Sequence, residues 1–200
     1  MGIKCKYVFC LLAVAYIFSC KKKTAKSDIE IVFTQDTLQI PYTYWWDEAG
    51  PFIGYCGEPY SLVFTGVLTH LEAADEKAGP LYTSQKGVIQ LEKVLYINDE
   101  IEGKYASQRY VTMDSFHQLD LKVSDKVLVF CYDYENKVTI PGDKSIIKIG
   151  DYDHPLVEST KEYIDSGQNV LEIKKDSALW AAYGYCDSFK RILRCKEDSP

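Results

Sequence analysis

The 200-residue chain lacks any apolar run long enough to cross a membrane. Its longest, Tyr7 to Ser19, is uncharged and 13 residues long, against about 20 for a helix that spans the hydrocarbon core. Histidine is scarce, with only His70, His117 and His154. No H-E-x-x-H pair and no C-x-x-C pair occurs, so the usual zinc signatures are missing. Neither His70-x-Glu72 nor Asp114, His117 and Asp120 has metal-ligand spacing, and Asp151-Tyr152-Asp153-His154 lacks the rest of a calcium loop. These histidines and acids are expected to be solvated, with no metal and no cofactor. Nucleophile elbows, P-loops and dinucleotide fingerprints are absent too, and no catalytic residue is assigned. Acidic residues are missing from the first 26 positions, which carry six lysines. The remainder therefore holds 17 basic residues against 29 acidic, a net charge of −12. A body of that sign is a poor match for nucleic acid, which needs a basic face.

What is present begins with the leader. Lys4 and Lys6 precede the 13-residue apolar run, whose length suits a secretory signal core. The run ends at Ile17-Phe18-Ser19-Cys20, followed by Lys21-Lys22-Lys23-Thr24-Ala25-Lys26-Ser27. This stretch resembles the lipobox of bacterial lipoproteins: an aliphatic residue, a variable one, a small one, then cysteine. The resemblance implies a signal peptide over 1–19, cleavage before Cys20, and a diacylglyceryl group on the Cys20 thiol, often joined by an N-acyl chain. Residues 20–27 would be a basic tether, and the protein would be held to lipid in the bacterial cell envelope. An uncleaved anchor and an ordinary secretory signal are the alternatives. A myristoylated start at Met1-Gly2 is a third, although Lys6 stands where that pattern takes Ser or Thr.

With Cys5 and Cys10 in the leader and Cys20 lipidated, four cysteines remain: Cys56, Cys131, Cys186 and Cys195. In an exported chain they are expected to form two disulfides, or one disulfide beside two buried thiols.

The body, 28–200, has the length of a single domain. Strands are expected over 28–34, with Leu38 and Ile40 continuing the pattern, then over 60–72, 86–97, 104–113, 126–134 with a turn at Glu135-Asn136, and 145–149. Gly66 within the second of these marks a bulge or bend. Residues 155–166 read as a helix with Gly167 as its C-cap, and 170–173 as a strand. Residues 177–195 read as an amphipathic helix, or as a strand to Tyr185 and a helix from Asp187 because of Gly184. The whole is mostly β with terminal helices, an antiparallel OB-like small barrel.

Ser61–Thr69 (SLVFTGVLT), Val88–Tyr96 (VIQLEKVLY) and Val123–Phe130 (VSDKVLVF) resemble the strands of netrin-like and tissue-inhibitor-of-metalloproteinase-like modules. The likeness implies an OB-type core over about 56–149, with a helical part over 155–195. Those inhibitors grip protease zinc through a Cys-x-Cys at their N-terminus. No Cys-x-Cys occurs here, so the activity does not carry over.

The remaining functional lead is aromatic. Tyr42, Tyr44, Trp45, Trp46, Phe52, Tyr55 and Tyr60 crowd one irregular stretch. Such rings either form a platform for a sugar or peptide, with Tyr44, Trp45, Trp46 and Tyr55 foremost, or plug the barrel end. The expected function is a membrane-anchored, non-enzymatic binding or structural module whose partner is another envelope protein or a glycan. The alternative is an envelope hydrolase acting on glycan or peptide, with an acid pair from Asp99–Glu102 and Asp151–Asp153. Cys20→Ala is expected to move the protein from the membrane fraction to the soluble one or to leave unprocessed precursor. Fractionation and intact mass measure this, and unchanged partition with normal processing would rule out the lipid anchor.

Overall fold

The structure, a computed structural model, describes residues 27–40, 48–80, 82–98 and 105–198. Cys20, Tyr42, Tyr44, Trp45, Trp46 and Asp99–Glu102 lie outside the described residues.

Seven strands form one sheet: β1 (Thr34–Gln39), β2 (Tyr60–Leu71), β3 (Gly87–Ile97), β4 (Gln108–Met113), β5 (Lys126–Tyr134), β6 (Lys137–Thr139) and β7 (Ile146–Ile149). Their order is β1-β4-β3-β2-β5-β6, and β7 also pairs with β5. The sheet curls into a half-barrel beside three short helices, α1 (Pro155–Asp165), α2 (Ser177–Ala182) and α3 (Cys186–Asp198). The expected β-rich architecture with terminal helices is present. One correction applies: the sheet is mixed, because β1 runs parallel to β4. Parallel neighbours need a long connection, and here the chain builds β2 and β3 before β4 arrives beside β1. Among the described residues no helix is long and apolar enough to cross a membrane.

Both faces of the central strands are covered, which explains why β2 and β5 read as nearly continuous apolar runs. On β5, Leu128, Phe130 and Tyr132 face the helices, whereas Val127, Val129 and Cys131 face the interior of the half-barrel. Keeping the faces consistent requires bulges on β3. Thr65 pairs with Lys93 and Gly66 with Leu91, leaving Glu92 over, while Val63 pairs with Tyr96 and Phe64 with Val94, leaving Leu95 over. The extra residue at Glu92 restores Leu91 and Val94 to one core. Gly66 marks this irregularity as expected, and the reason is contact. A Cβ there would lie 2.5 Å from the Gln90 carbonyl oxygen and 2.7 Å from Ile89.

The helical side is built on rings. Phe52 meets Trp180, Phe189 and Tyr163 edge-on at 4.8, 5.1 and 5.8 Å. Their polar atoms are satisfied: the Tyr60 hydroxyl donates to Pro51 O (2.7 Å), Tyr132 to Gly50 O (2.9 Å) and Trp180 Nε1 to Ser159 Oγ (2.9 Å). Gly167 and Gly184 sit at positive φ (73° and 86°) after α1 and α2. Each closes a Schellman turn, with Gln168 N–H on Tyr163 O and Tyr185 N–H on Trp180 O. Gly184 thus divides the expected 177–195 helix into α2 and α3, so no strand forms before Tyr185.

Two other segments differ from expectation. Residues 170–173 are turns, because Asn169 Oδ1 takes the Leu171 N–H (3.2 Å) and Asn169 O the Glu172 N–H (3.1 Å). Val170 and Ile173, three apart, both reach the helical core. In 28–33 the alternation of sides is right, with Ile31 and Phe33 against the half-barrel core, but only Ile29 pairs, donating to Val94 O at 3.1 Å. Ser27 N and Oγ donate to the Asp165 carboxylate (2.6 and 3.0 Å), and Asp28 bridges Lys93 (3.0 Å) and Lys161 (3.5 Å). Ser27–Ile29 therefore clamp the start of the body to α1 and β3.

One disulfide joins Cys56 to Cys195 across 139 residues of sequence, with Cα atoms 5.3 Å apart. A closed loop of that length restricts the unfolded chain by about 4–5 kcal/mol on an entropic account. Cys131 and Cys186 are not paired, so the alternative with one disulfide holds; Cys131 is a buried thiol and Cys186 a half-buried one. Cys131 points into the half-barrel, and the sheet separates it from the helices.

Burial holds the Tyr60, Tyr132, Tyr163 and Tyr185 phenols above their ordinary value of 10.0. Below pH 10 both states are protonated and stability is at its full value. Above it the unfolded chain ionises first, so stability falls as pH climbs toward the folded values, by about 1.4 kcal/mol per pH unit for each tyrosine. Urea unfolding followed from pH 8 to 11.5 is expected to be flat to about pH 10 and then steeply downward; a flat profile to pH 11.5 would contradict the buried ring cluster.

Candidate ligand-binding cavity

Three strand ends converge at one end of the half-barrel. Gln39 closes β1 and Ile40 follows it, Lys86 precedes β3, and Thr112 and Met113 end β4 with Asp114 just beyond. The ladder fixes their positions: Gln39 pairs with Thr112, Val88 with Thr112 and Gly87 with Met113. Ile40 N–H donates to Thr112 O (2.9 Å), and Thr112 Oγ1 donates to Gly87 O (3.0 Å). Gln85 and Phe116 hold the turn behind Asp114. Gln85 N–H donates to Asp114 O (2.9 Å), and Phe116 N–H to Gln85 O (3.1 Å). Gly87 is required here because the Phe116 ring lies 2.7 Å from where a Cβ would stand.

Between these ends is a cavity of about 480 Å³ lined, among the described residues, by Gln39, Ile40, Lys86, Thr112, Met113 and Asp114. Its volume falls in the usual range for small-molecule sites. The wall offers an ammonium, a carboxylate, a hydroxyl, an amide and two apolar side chains. Lys86 is exposed and Asp114 half-buried. The Asp114 Oδ1 atom is buried and has no hydrogen-bond partner among the described residues.

None of these six residues was singled out by the sequence as a ligand contact; Asp114 entered only as a weighed metal ligand. They lie 75 positions apart at the extremes and share no motif, so it takes the pairing of β4 with both β1 and β3 to bring them together. Of the aromatics, Phe52 and Tyr60 are plugs, 1% exposed each, whereas Tyr55 is 73% exposed and lies in the loop beside Cys56, apart from the cavity. Tyr44, Trp45 and Trp46 lie outside the described residues, four to six positions after Ile40.

The histidines are accounted for individually. His70 and His117 are exposed. His154 caps α1, its Nδ1 accepting the Leu156 N–H (3.2 Å) while Nε2 meets the Tyr183 hydroxyl (2.8 Å). Asp151 Oδ1 accepts the Asp153 N–H (3.0 Å) in the turn before that helix. Among the described residues no three His, Cys, Asp or Glu side chains group as metal ligands.

A second polar cluster has a structural task. Arg191 Nη2 donates to Glu48 Oε2 (2.9 Å) and Phe52 O (3.1 Å), and its Nε donates to Gly54 O (3.1 Å). One helical turn on, Cys195 is bonded to Cys56. Helix α3 thus holds the 48–57 loop twice, by a planar fork and by a covalent bond.

No protein-family model matches the chain, and no curated protein is significantly similar to it. The functional reading therefore rests on the cavity and its wall.

Arg191→Ala is expected to destabilise the protein by about 1–3 kcal/mol, since it leaves two backbone carbonyls without their donor and removes the ion pair of Glu48, which keeps only the Gly54 N–H. Arg191→Lys should recover little, because an ammonium cannot reproduce the fork. Chemical denaturation of both variants measures this; full recovery by lysine would mean that charge alone matters.

Proposed function

We propose that this chain is an exported binding module, held at a bacterial membrane by lipid on Cys20, whose ligand enters the cavity between β1, β4 and β3. The partner is an envelope glycan or a segment of another envelope protein. The observation that supports the reading is a cavity of ligand size whose wall carries both donors and acceptors. The leader supports the address. The Ser27–Ile29 clamp supports a body that begins at the tether without a further linker.

The alternative is a hydrolase. Glycoside hydrolysis takes two carboxyl groups facing each other across the bond. Asp114 is the one carboxylate on the wall among the described residues. Asp151 is engaged in its own turn at the start of α1.

The test is a melting-temperature screen of the detergent-extracted protein against soluble glycans and end-capped peptides, repeated on Gln39→Trp. Gln39 is exposed on the cavity rim, so the indole should obstruct the cavity without disturbing the core. A ligand that raises the melting temperature of the parent protein and not of this variant supports the reading. Cleavage products in the same mixtures, detected by mass spectrometry, would favour the hydrolase, and shifts indifferent to Gln39→Trp would place the ligand elsewhere.

A further inference from the structure

We infer that Cys56 Sγ is a thiol-exchange site: a dithiol reductant opens the Cys56–Cys195 bond there and frees the tip of the 48–57 loop, while the rest of the protein stays folded. Three observations lead to this, and none of them involves the cavity.

The first is what holds the loop. Its base is closed without the disulfide. Glu58 N–H donates to Ile53 O (3.0 Å), Gly54 N–H to the Glu48 carboxylate, and Arg191 Nε to Gly54 O (3.1 Å). Earlier in the loop, the carbonyls of Gly50 and Pro51 accept from the Tyr132 and Tyr60 hydroxyls, and Phe52 is buried among rings. The tip is different. Among the described residues, Tyr55, Cys56 and Gly57 make no hydrogen bond, and the Tyr55 ring is exposed. The disulfide is what pins residues 55–57 to α3. Gly54 and Gly57, at φ 77° and 92°, bracket the tip with backbone that rotates at low cost.

The second is unequal access. Cys56 is half-buried and open to solvent, whereas Cys195 is 4% exposed. Thiol exchange runs in line with the S–S bond and depends on which sulfur can be reached. A thiolate therefore attacks Cys56 Sγ, and a new S–S bond forms there. The Cys56–Cys195 bond breaks, and Cys195 Sγ leaves with the electron pair and takes a proton. The second thiol of the reductant then attacks the mixed disulfide and releases the Cys56 thiol. Two electrons and two protons have passed to the protein, and the reductant has become a disulfide. A disulfide oxidant reverses each step.

The third is that the freed thiols have no other partner and the tip has something to uncover. Cys186 lies nine positions before Cys195 on α3, about 14 Å along the axis and too far to bridge. Cys131 is behind the sheet. Beneath the tip, a Cβ on Gly57 would stand 3.4 Å from the Tyr163 hydroxyl and 3.5 Å from Ile192, both buried. Opening the bond exposes Cys195, Ile192 and Tyr163; closing it covers them again.

The experiment uses the full-length protein in detergent. Brief exposure to glutathione, quenched with N-ethylmaleimide, captures the mixed disulfide for peptide mapping. Glutathione is expected on Cys56 with maleimide on Cys195, in about tenfold excess over the reverse, at a rate proportional to glutathione concentration. After full reduction with dithiothreitol and alkylation, chymotrypsin should cut after Tyr55 about tenfold faster than in the oxidised protein, with Phe52 and Tyr60 still protected. The double variant Cys56→Ser, Cys195→Ser should be cut in the same way without any thiol and should still melt cooperatively. Equal adducts on the two sulfurs, or a rate independent of glutathione, would mean that the bond opens only by unfolding and would overturn the inference. So would unchanged cleavage at Tyr55, which would show the tip held by other contacts. Cleavage throughout the chain in both the reduced protein and the double variant would make the bond a structural staple and overturn it as well.

Discussion

Three rings close edge-on around Phe52, and the helical half of the protein is assembled on that contact. Phe52 belongs to an irregular loop that has no strand or helix of its own to fix it. What fixes it is burial among Tyr163 of α1, Trp180 of α2 and Phe189 of α3, each of which needs the loop to fill the space between helices and sheet. Phe52, Trp180 and Phe189 are each about 1% exposed. A large aromatic removed from such a position costs about 3–5 kcal/mol, a sizeable part of a domain's net stability. The Arg191 fork and the Cys56–Cys195 bond then secure the two ends of the same loop from a single face of α3. Hydrophobic burial places the loop, and the polar and covalent contacts determine its path.

The sheet, in turn, is constrained by having to serve two cores. Every residue of β5 from Val127 to Tyr132 is buried, with odd positions on one side and even ones on the other. A strand of this kind tolerates no slip, since a one-residue shift would exchange the two sets. The bulges at Glu92 and Leu95 are the accommodation on β3, and Gly66 is the backbone approach that permits the first of them. The local irregularity of β3 and the flawless alternation of β5 therefore have the same cause.

How much of this was legible beforehand follows from the range of each interaction. The strands β2, β3 and β5 carry their apolar patterns openly in the chain, and the hairpin at Glu135-Asn136, the helix over 155–165 with its Gly167 cap and the break at Gly184 rest on contacts within a few residues. Glu135 and Asn136 both have positive φ, as the turn chemistry requires. The 170–173 segment misled because Val and Ile at i and i+3 suit a turn on a core as well as a strand, and the Asn169 side chain decided between them. The parallel pairing of β1 with β4 depends on residues some seventy positions apart, and no local pattern encodes it. The cavity inherits that illegibility, for Gln39 joins Lys86 and Asp114, which the β3–β4 pairing sets side by side, only once β1 has docked. Cysteine spacing left the connectivity open, and the sheet resolved it by standing between Cys131 and the helices.

The Ser27–Ile29 clamp has a mechanical consequence. Any pull on the N-terminus enters the body through hydrogen bonds to Asp165 and ion pairs to Lys93 and Lys161, all of them on the surface. Only after these part, and the Ile29 bridge with them, does tension reach the first true ladder at Thr34. Seven residues of slack, Ser27 to Phe33, are thereby stored ahead of the sheet and released before any damage to it. Because the contacts that guard this slack are ionic and solvent-facing, they weaken with salt. This segment would lengthen under load or at high ionic strength while the globule stays folded.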